Sequence, residues 1–328
     1  MNILLVKQSA KLPVYNYGGT ERVVWYLAKE LNRMGHHVYM LVAPGSTCPF
    51  ADVIEYRDDV PMSKLVPDGI DIVHFQERVD DSLRHIPHVV TMHGNVCRTE
   101  LDPNTIFVSR NHANRFGSDS YVYNGMDWDD YGPVDLNRER SYYHFLGKAA
   151  WRVKNVKGAI NVVKAIPGAR LKVLGGYRFN FKMGIRLTFS PKISFKGMVG
   201  GEQKFSLLNG SRGLIFPVLW DEPFGLAITE SLYFGAPVFG TPYGSLPELV
   251  DKEVGFLTDS QSEMVAHLTG GCHYSPKVCH EYAADKFNSR IMAEQYFKKY
   301  EQVLNGQALN DVSKLKVNTS YTRYTWKP

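Results

Sequence analysis

Short apolar runs alternate with amphipathic stretches along the chain. Residues 3–6 read as a buried strand, followed by a loop containing Tyr17-Gly18-Gly19. Val24, Leu27, Leu31 and Met34 then recur at three- and four-residue spacing, which predicts a helix closed by Gly35. Residues 37–42, 70–75, 89–92 and 105–108 predict further short strands. The pattern restarts with strands at 143–146, 170–174, 193–195, 213–216 and 237–239, and helices at 156–166, 203–209 and 223–234. Strands alternating with helices imply parallel α/β sheets wrapped on both faces. Because the whole arrangement occurs twice, two Rossmann-like halves facing one cleft are expected.

Residues 124–142 are polar, contain Gly132-Pro133 and read as a linker with the boundary near residue 140. This divides the chain into an N-terminal domain, residues 1–140, and a C-terminal domain, residues 141–285. A helix at 286–305 follows, with Ile291, Met292, Tyr296, Tyr300 and Val303 on one side. It is expected to cross back towards the N-terminal domain. Residues 306–328 lack periodicity and predict a frayed tail, or a membrane contact through Lys314, Lys316, Arg323 and Lys327 with Tyr321, Tyr324 and Trp326.

A length of 328 residues agrees with two domains, and 44% apolar with 22% charged residues is an ordinary globular composition. No apolar run is long enough to span a membrane. The N-terminal apolar run is too short for a signal peptide, so a cytoplasmic protein is expected. The net charge of +5 suits a polyphosphate ligand or an anionic membrane surface. No basic helix or RNA-recognition signature is present, so nucleic acid is not an expected partner. Four Cys in such a chain argue against a disulfide framework. Cys272-His273 and Cys279-His280 offer zinc-type ligands, but their spacing matches no common knuckle, and no metal is predicted.

The most informative stretch surrounds Glu222. Glu222 and Glu230 stand eight positions apart around a turn that opens a helix, with Pro223 and Gly225 breaking the preceding strand. Unpaired N–H groups of that first helical turn make a place for an anion. An anion cradle flanked by two hydroxyl-binding carboxylates suits a nucleotide sugar, with the diphosphate in the middle.

These residues carry a resemblance. The chain resembles a glycosyltransferase of the GT-B fold, of the large retaining family 4 (group 1) that includes many bacterial lipopolysaccharide and capsule enzymes. The likeness runs over about residues 1–305 and implies that residues 1–140 are the acceptor-side domain and residues 141–285 the nucleotide-sugar-binding domain. It rests on the order and spacing of Gly18-Gly19-Thr20-Glu21, Gly35-His36-His37-Val38, Thr91-Met92-His93-Gly94, Tyr123-Asn124-Gly125-Met126-Asp127, Phe145-Leu146-Gly147-Lys148, Glu222-Pro223-Phe224-Gly225 with Glu230, and Thr241-Pro242-Tyr243-Gly244-Ser245-Leu246-Pro247-Glu248. The resemblance implies that Glu230 accepts hydrogen bonds from ribose hydroxyls and that Glu222 lies beside the donor sugar. It implies backbone contacts to sugar and phosphate from Phe224, Gly225, Leu226 and Gly19, and reading of the base near Met198. His93 would contact the donor sugar. Lys148, standing where Arg is usual, and Lys154 would cover the diphosphate, with Lys157 as competitor for the second position. His74 would be structural or adjacent to the acceptor. Gln76 stands where a second His is common, and Ser245 where Gly is common.

The resemblance thus implies a retaining, metal-independent hexosyltransferase, needing no cofactor beyond its nucleotide-sugar substrate. A glycan or glycolipid would be the acceptor, and cell-surface glycan synthesis the setting. A nucleotide-sugar epimerase or phosphorylase on the same fold and a catalytically silent sugar-binding subunit are the alternatives. A dinucleotide oxidoreductase would need Gly-x-Gly-x-x-Gly after a strand, and neither Gly18-Gly19 nor Gly175-Gly176 matches it.

Overall fold

The run Ile3-Leu4-Leu5-Val6 has no polar member to turn towards water, and all four side chains are buried. They form the centre of strand β1 (Asn2–Lys7). The computed structural model describes the whole chain except residues 15–17, 98, 182 and 184, so Tyr17 of the expected first loop lies outside the described residues. The contacts divide the chain into two units, Met1–Trp128 with Phe287–Ser320, and Asp129–Lys286 with Tyr321–Pro328.

In the first unit β1 is followed by α1 (Gly19–Arg33), β2 (His37–Val42), β3 (Asp52–Glu55), β4 (Ile72–Phe75), β5 (His88–Met92), β6 (Thr105–Phe107) and α2 (Arg110–Arg115). The strands make one parallel sheet in the order β3-β2-β1-β4-β5-β6. Helix α1 buries Val24, Leu27 and Leu31 of the predicted stripe and Val23 beside them, while Met34 is its half-buried C-cap. Strand β3, absent from the sequence reading, is a sheet edge with exposed Asp52 and Glu55 at its ends. It therefore lacks the apolar run of a central strand.

The second unit repeats this plan. Its elements are β7 (Tyr142–Leu146), α3 (Val156–Ala165), β8 (Leu171–Leu174), β9 (Phe179–Asn180), β10 (Arg186–Leu187), β11 (Ile193–Phe195), α4 (Gly201–Asn209), β12 (Ser211–Phe216), α5 (Leu226–Tyr233), β13 (Val238–Gly240), α6 (Leu246–Leu249), β14 (Gly255–Leu257), α7 (Gln261–Thr269) and α8 (Pro276–Lys286). Six of the strands form a parallel sheet in the order β11-β8-β7-β12-β13-β14, while β9 and β10 pair separately as a hairpin. Each large sheet thus reverses strand order once, between β1 and β4 and between β7 and β12. Ligands of open α/β sheets bind beyond the carboxyl ends of strands at such a reversal.

The last long helix, α9 (Ser289–Leu304), belongs to the first unit. It buries Met292, Tyr296 and Tyr300 and starts at Asn288, whose side chain caps Ile291 N–H. The sequence reading ran this helix from 286 and missed α8 before it. The chain divides after Trp128, whereas the reading put the boundary near 140. Residues 129–142 are held by the second unit: Tyr131 OH donates to Glu230, and Asn209 donates to the Pro133 carbonyl.

The tail also departs from expectation. Tyr324 stacks on Tyr243 at 4.0 Å and donates to Asp221 at 2.9 Å. Lys327 pairs with Asp259 at 2.8 Å, and Trp326 packs on the apolar cluster of the second unit. Residues Tyr321–Pro328 are therefore an ordered part of that unit, not a frayed end.

Candidate active site

At the β7/β12 reversal two loops meet. After β7 the chain makes a short turn of helix at Arg152–Lys154, ended by Asn155 in the left-handed conformation (φ 52°). The Asn155 side chain accepts from Gly158 N–H and donates to the Pro217 carbonyl, which ties this loop to the one after β12. Leu219 N–H to the Val153 carbonyl, at 2.7 Å, adds a second tie. Lys154 is thereby directed inward. Its Nζ lies 2.5 Å from Glu222 Oε2, which also accepts from Trp220 Nε1 at 2.8 Å. The Lys154 ammonium stands 5.1 Å from the centroid of the Trp220 ring and 5.3 Å from that of Phe216. Both charged side chains are buried, so a carboxylate taken out of water is matched by a cation and an indole N–H.

Gly225 starts α5 with φ 91°, a conformation that L side chains rarely adopt. Helix α5 begins at Leu226, where the helical pattern begins in the sequence, after the break at Pro223 to Gly225. No side chain caps this end. Gly244 packs against the Glu222 backbone so closely that a Cβ would lie 2.2 Å from Glu222 N. Ser245 fastens the same turn, its N–H donating to the Glu222 carbonyl and its Oγ to the buried Phe224. Ser245 is thus a fixed support of the Glu222–Gly225 turn.

Glu230, one turn into α5, is almost fully buried. Its Oε1 accepts from Lys204 Nζ and from Tyr131 OH, both at 2.6 Å. Each carboxylate of the motif therefore has its own lysine. Lys204 and Tyr131 were not singled out in the sequence. Their only signal was a lysine on the α4 pattern and a tyrosine in a segment read as linker. Lys148 and Lys157 are exposed and make no ion pair among the described residues. Met198 is exposed beyond Gly197, whose N–H is already taken by the Gly176 carbonyl.

In the first unit, Gly19 opens α1, and its N-cap Gly18 supplies no side-chain cap. A Cβ at Gly18 would press on Val14 at 2.8 Å. His93 follows β5 at the carboxyl edge of the sheet, where its Nε2 donates to Gln76 Oε1 at 2.9 Å. That bond leaves the proton on Nε2 and the lone pair on Nδ1. Burial, and then the Lys7 ammonium, hold the His93 ring below its ordinary pKa, so it is neutral at pH 7. Gln76 thus orients the His93 ring. Nearby, Lys7 pairs with Glu77 at 2.6 Å, and Ser9 bonds to both. Burial alone would raise the Glu77 pKa, but the bonds from Lys7 and Ser9 outweigh it and keep the carboxyl low. His74 is a core residue bonded to Tyr300 and Thr91, with burial lowering its pKa to about 3.

Among the described residues no three His, Cys, Asp or Glu side chains are grouped to hold a metal, and no helix is long and apolar enough to cross a membrane. Cys279 is buried, and that burial pushes its thiol up to about 12.

Residues 132–269 match the family model described as glycosyl transferases group 1. The match covers β7 to α7 and includes Lys154, Lys204, Glu222 and Glu230. Among solved structures the chain is similar to AviGT4, a glycosyltransferase involved in avilamycin A biosynthesis. The identity is 21%, the TM-score 0.75, and the coverage 93% of this chain and 98% of that one. It is also similar to sucrose-phosphate synthase from Thermosynechococcus elongatus, with 16% identity, TM-score 0.69, and coverage of 93% and 100%. Anabaena HepE in complex with UDP and glucose matches at 14% identity and TM-score 0.64, over 92% of this chain and all of that one. A search of curated proteins finds no match. The chain therefore has the pair of Rossmann-like units of the GT-B fold, and its second unit carries the sequence pattern of the group 1 glycosyl transferases.

Proposed function

We propose that this protein is a retaining glycosyltransferase that moves a hexose from a nucleotide-diphosphate sugar to a saccharide or lipid-linked acceptor, in cell-surface glycan synthesis. The observation that carries the reading is the buried Lys154–Glu222–Trp220 arrangement beside the uncapped, Gly225-started N-terminus of α5. A cation and the first N–H groups of a helix that no side chain caps stabilise the negative charge that grows on a departing diphosphate. Support for the donor class comes from the HepE complex with UDP and glucose. The acceptor hydroxyl attacks the face from which the diphosphate leaves. A phosphate oxygen takes the hydroxyl proton as the new glycosidic bond forms and the anomeric carbon–phosphate oxygen bond breaks. Glu222 contacts sugar hydroxyls, Glu230 the ribose, and Lys148 and Lys154 the diphosphate. His93 keeps the sugar-contacting part that the resemblance gives it.

Proton NMR of the product tests the reading directly. The anomeric configuration of the donor is expected in the product, and inversion would refute the assignment. A screen of nucleotide sugars by thermal shift identifies the base and sugar. A ligand present at 100 times its dissociation constant adds about 2.7 kcal/mol to stability.

The second expectation concerns metals. Lysine and backbone N–H groups do here what a divalent ion does in other diphosphate sites, so EDTA leaves turnover unchanged. Loss of activity with EDTA and its return with manganese would sink this account of the leaving group.

A further inference from the structure

Strands β9 and β10 form a hairpin turned inside out. Phe179 pairs with Leu187 across β9 and β10, so alternate residues Tyr177, Phe179, Phe181, Ile185, Leu187 and Phe189 share one face. That face meets solvent: Phe181 is 72% exposed, and Ile185 and Phe189 are each 76% exposed. The opposite face carries the polar side chains and packs inward. Arg178 donates to the carbonyls of Thr188 and Ile193, and Arg186 donates to the Tyr177 carbonyl and lies over the Phe195 ring. A one-residue shift of register would exchange the two faces, and the bonds of Arg178 and Arg186 hold the polar face inward. Soluble surfaces rarely hold a contiguous apolar row of this size without a partner.

The charge around the hairpin says which partner. Residues 140–201 contain thirteen Lys and Arg and no Asp or Glu, although the whole chain carries only +5. An open groove of about 960 Å³ beside the hairpin is lined by Trp151, Ile160, Ile185 and Leu187 together with Lys157 and Lys164. Apolar side chains beside the exposed Lys157 and Lys164 match acyl chains below a layer of anionic headgroups. The tail expected to serve this purpose is instead packed into the second unit through Tyr324 and Trp326.

We propose that the β9–β10 hairpin is a membrane-docking element, inserting Phe181, Ile185 and Phe189 into the interface of an anionic bilayer while cations such as Lys157 and Lys164 bind its headgroups. The proposal deepens the lipid-linked-acceptor reading above. Its test needs no sugar transfer, so the two fail separately.

Full-length protein is floated with phosphatidylcholine vesicles with and without phosphatidylglycerol, at low and high salt. Capture is expected only with the anionic vesicles and is expected to fall as salt rises. The triple substitution Phe181→Ala, Ile185→Ala and Phe189→Ala should lower capture at least about tenfold. The single change Phe181→Glu, at an exposed position, should act in the same direction without touching the core. Lys314→Ala with Lys316→Ala should leave capture unchanged. Wild-type capture by the hairpin variants, equal capture by neutral vesicles, or no capture of the parent protein would each overturn the proposal. So would a concentration-dependent dimer, seen by sedimentation velocity without vesicle capture and abolished by the triple variant. A second copy of the chain would then be the occupant.

Discussion

Lys154→Ala is expected to lower turnover about 100- to 1,000-fold, the usual effect of removing one preorganised donor from a developing negative charge. The substitution also strips Glu222 of its cation and leaves a buried carboxylate bonded to Trp220 alone. Breaking a buried pair from one side costs about 3–5 kcal/mol of stability, so catalytic loss must be separated from structural loss. The double variant Lys154→Met with Glu222→Gln removes both charges at nearly constant volume. It should recover most of the stability and little of the turnover. Steady-state kinetics and thermal unfolding on the same preparations decide the matter. If turnover returned with stability, Lys154 would be only the counter-ion of Glu222. A rise in KM at constant kcat would likewise remove it from leaving-group stabilisation.

The second large effect is expected at Glu230. Lys204→Met leaves this carboxylate, 2% exposed, without its lysine, with Tyr131 still donating. The expected loss is again about 3–5 kcal/mol. For a unit of this size each kcal/mol moves Tm by about 2–4 °C, so the unfolding transition should drop by roughly 6–20 °C. Adding Glu230→Gln should restore most of it. A Lys204→Met transition within about 2 °C of the parent would show that the pair is not integral to the unit. Glu230→Ala is therefore expected to reduce stability as well as donor affinity. Its effect on donor binding should be read below the new transition temperature.

Several site features were legible because they are local. The Pro223-Phe224-Gly225 break, the helix behind it and Lys154 beside Asn155 lie within short stretches whose backbone conformations depend on those residues. Strands β1, β2 and β5 were visible because central parallel strands are continuous apolar runs. Edge strands β3 and β14 were not, because they are only partly buried and need not be uniformly apolar, although the edge strands β6 and β11 were visible. The hairpin was missed for another reason. Its alternation of apolar and basic residues resembles an ordinary half-buried strand, and nothing local says which face meets water.

Alternation of apolar runs with helical stripes, and the glycines at φ-positive turns such as Gly225, were enough by themselves to determine two Rossmann-like units and to locate the Glu222–Glu230 motif. These properties depend on hydrogen bonding and sterics among near neighbours, which the sequence states directly. Which cation neutralises which carboxylate was decided only by the tertiary structure. Glu230 is matched by Lys204 from α4 and Tyr131 from the segment before β7, Glu222 by Lys154, and His93 by Gln76 across two strands. Burying a charge or a neutral imidazole demands a partner, but not one at a fixed separation along the chain. The partner is whichever group the sheet order β11-β8-β7-β12-β13-β14, or its counterpart in the first unit, brings within hydrogen-bonding distance.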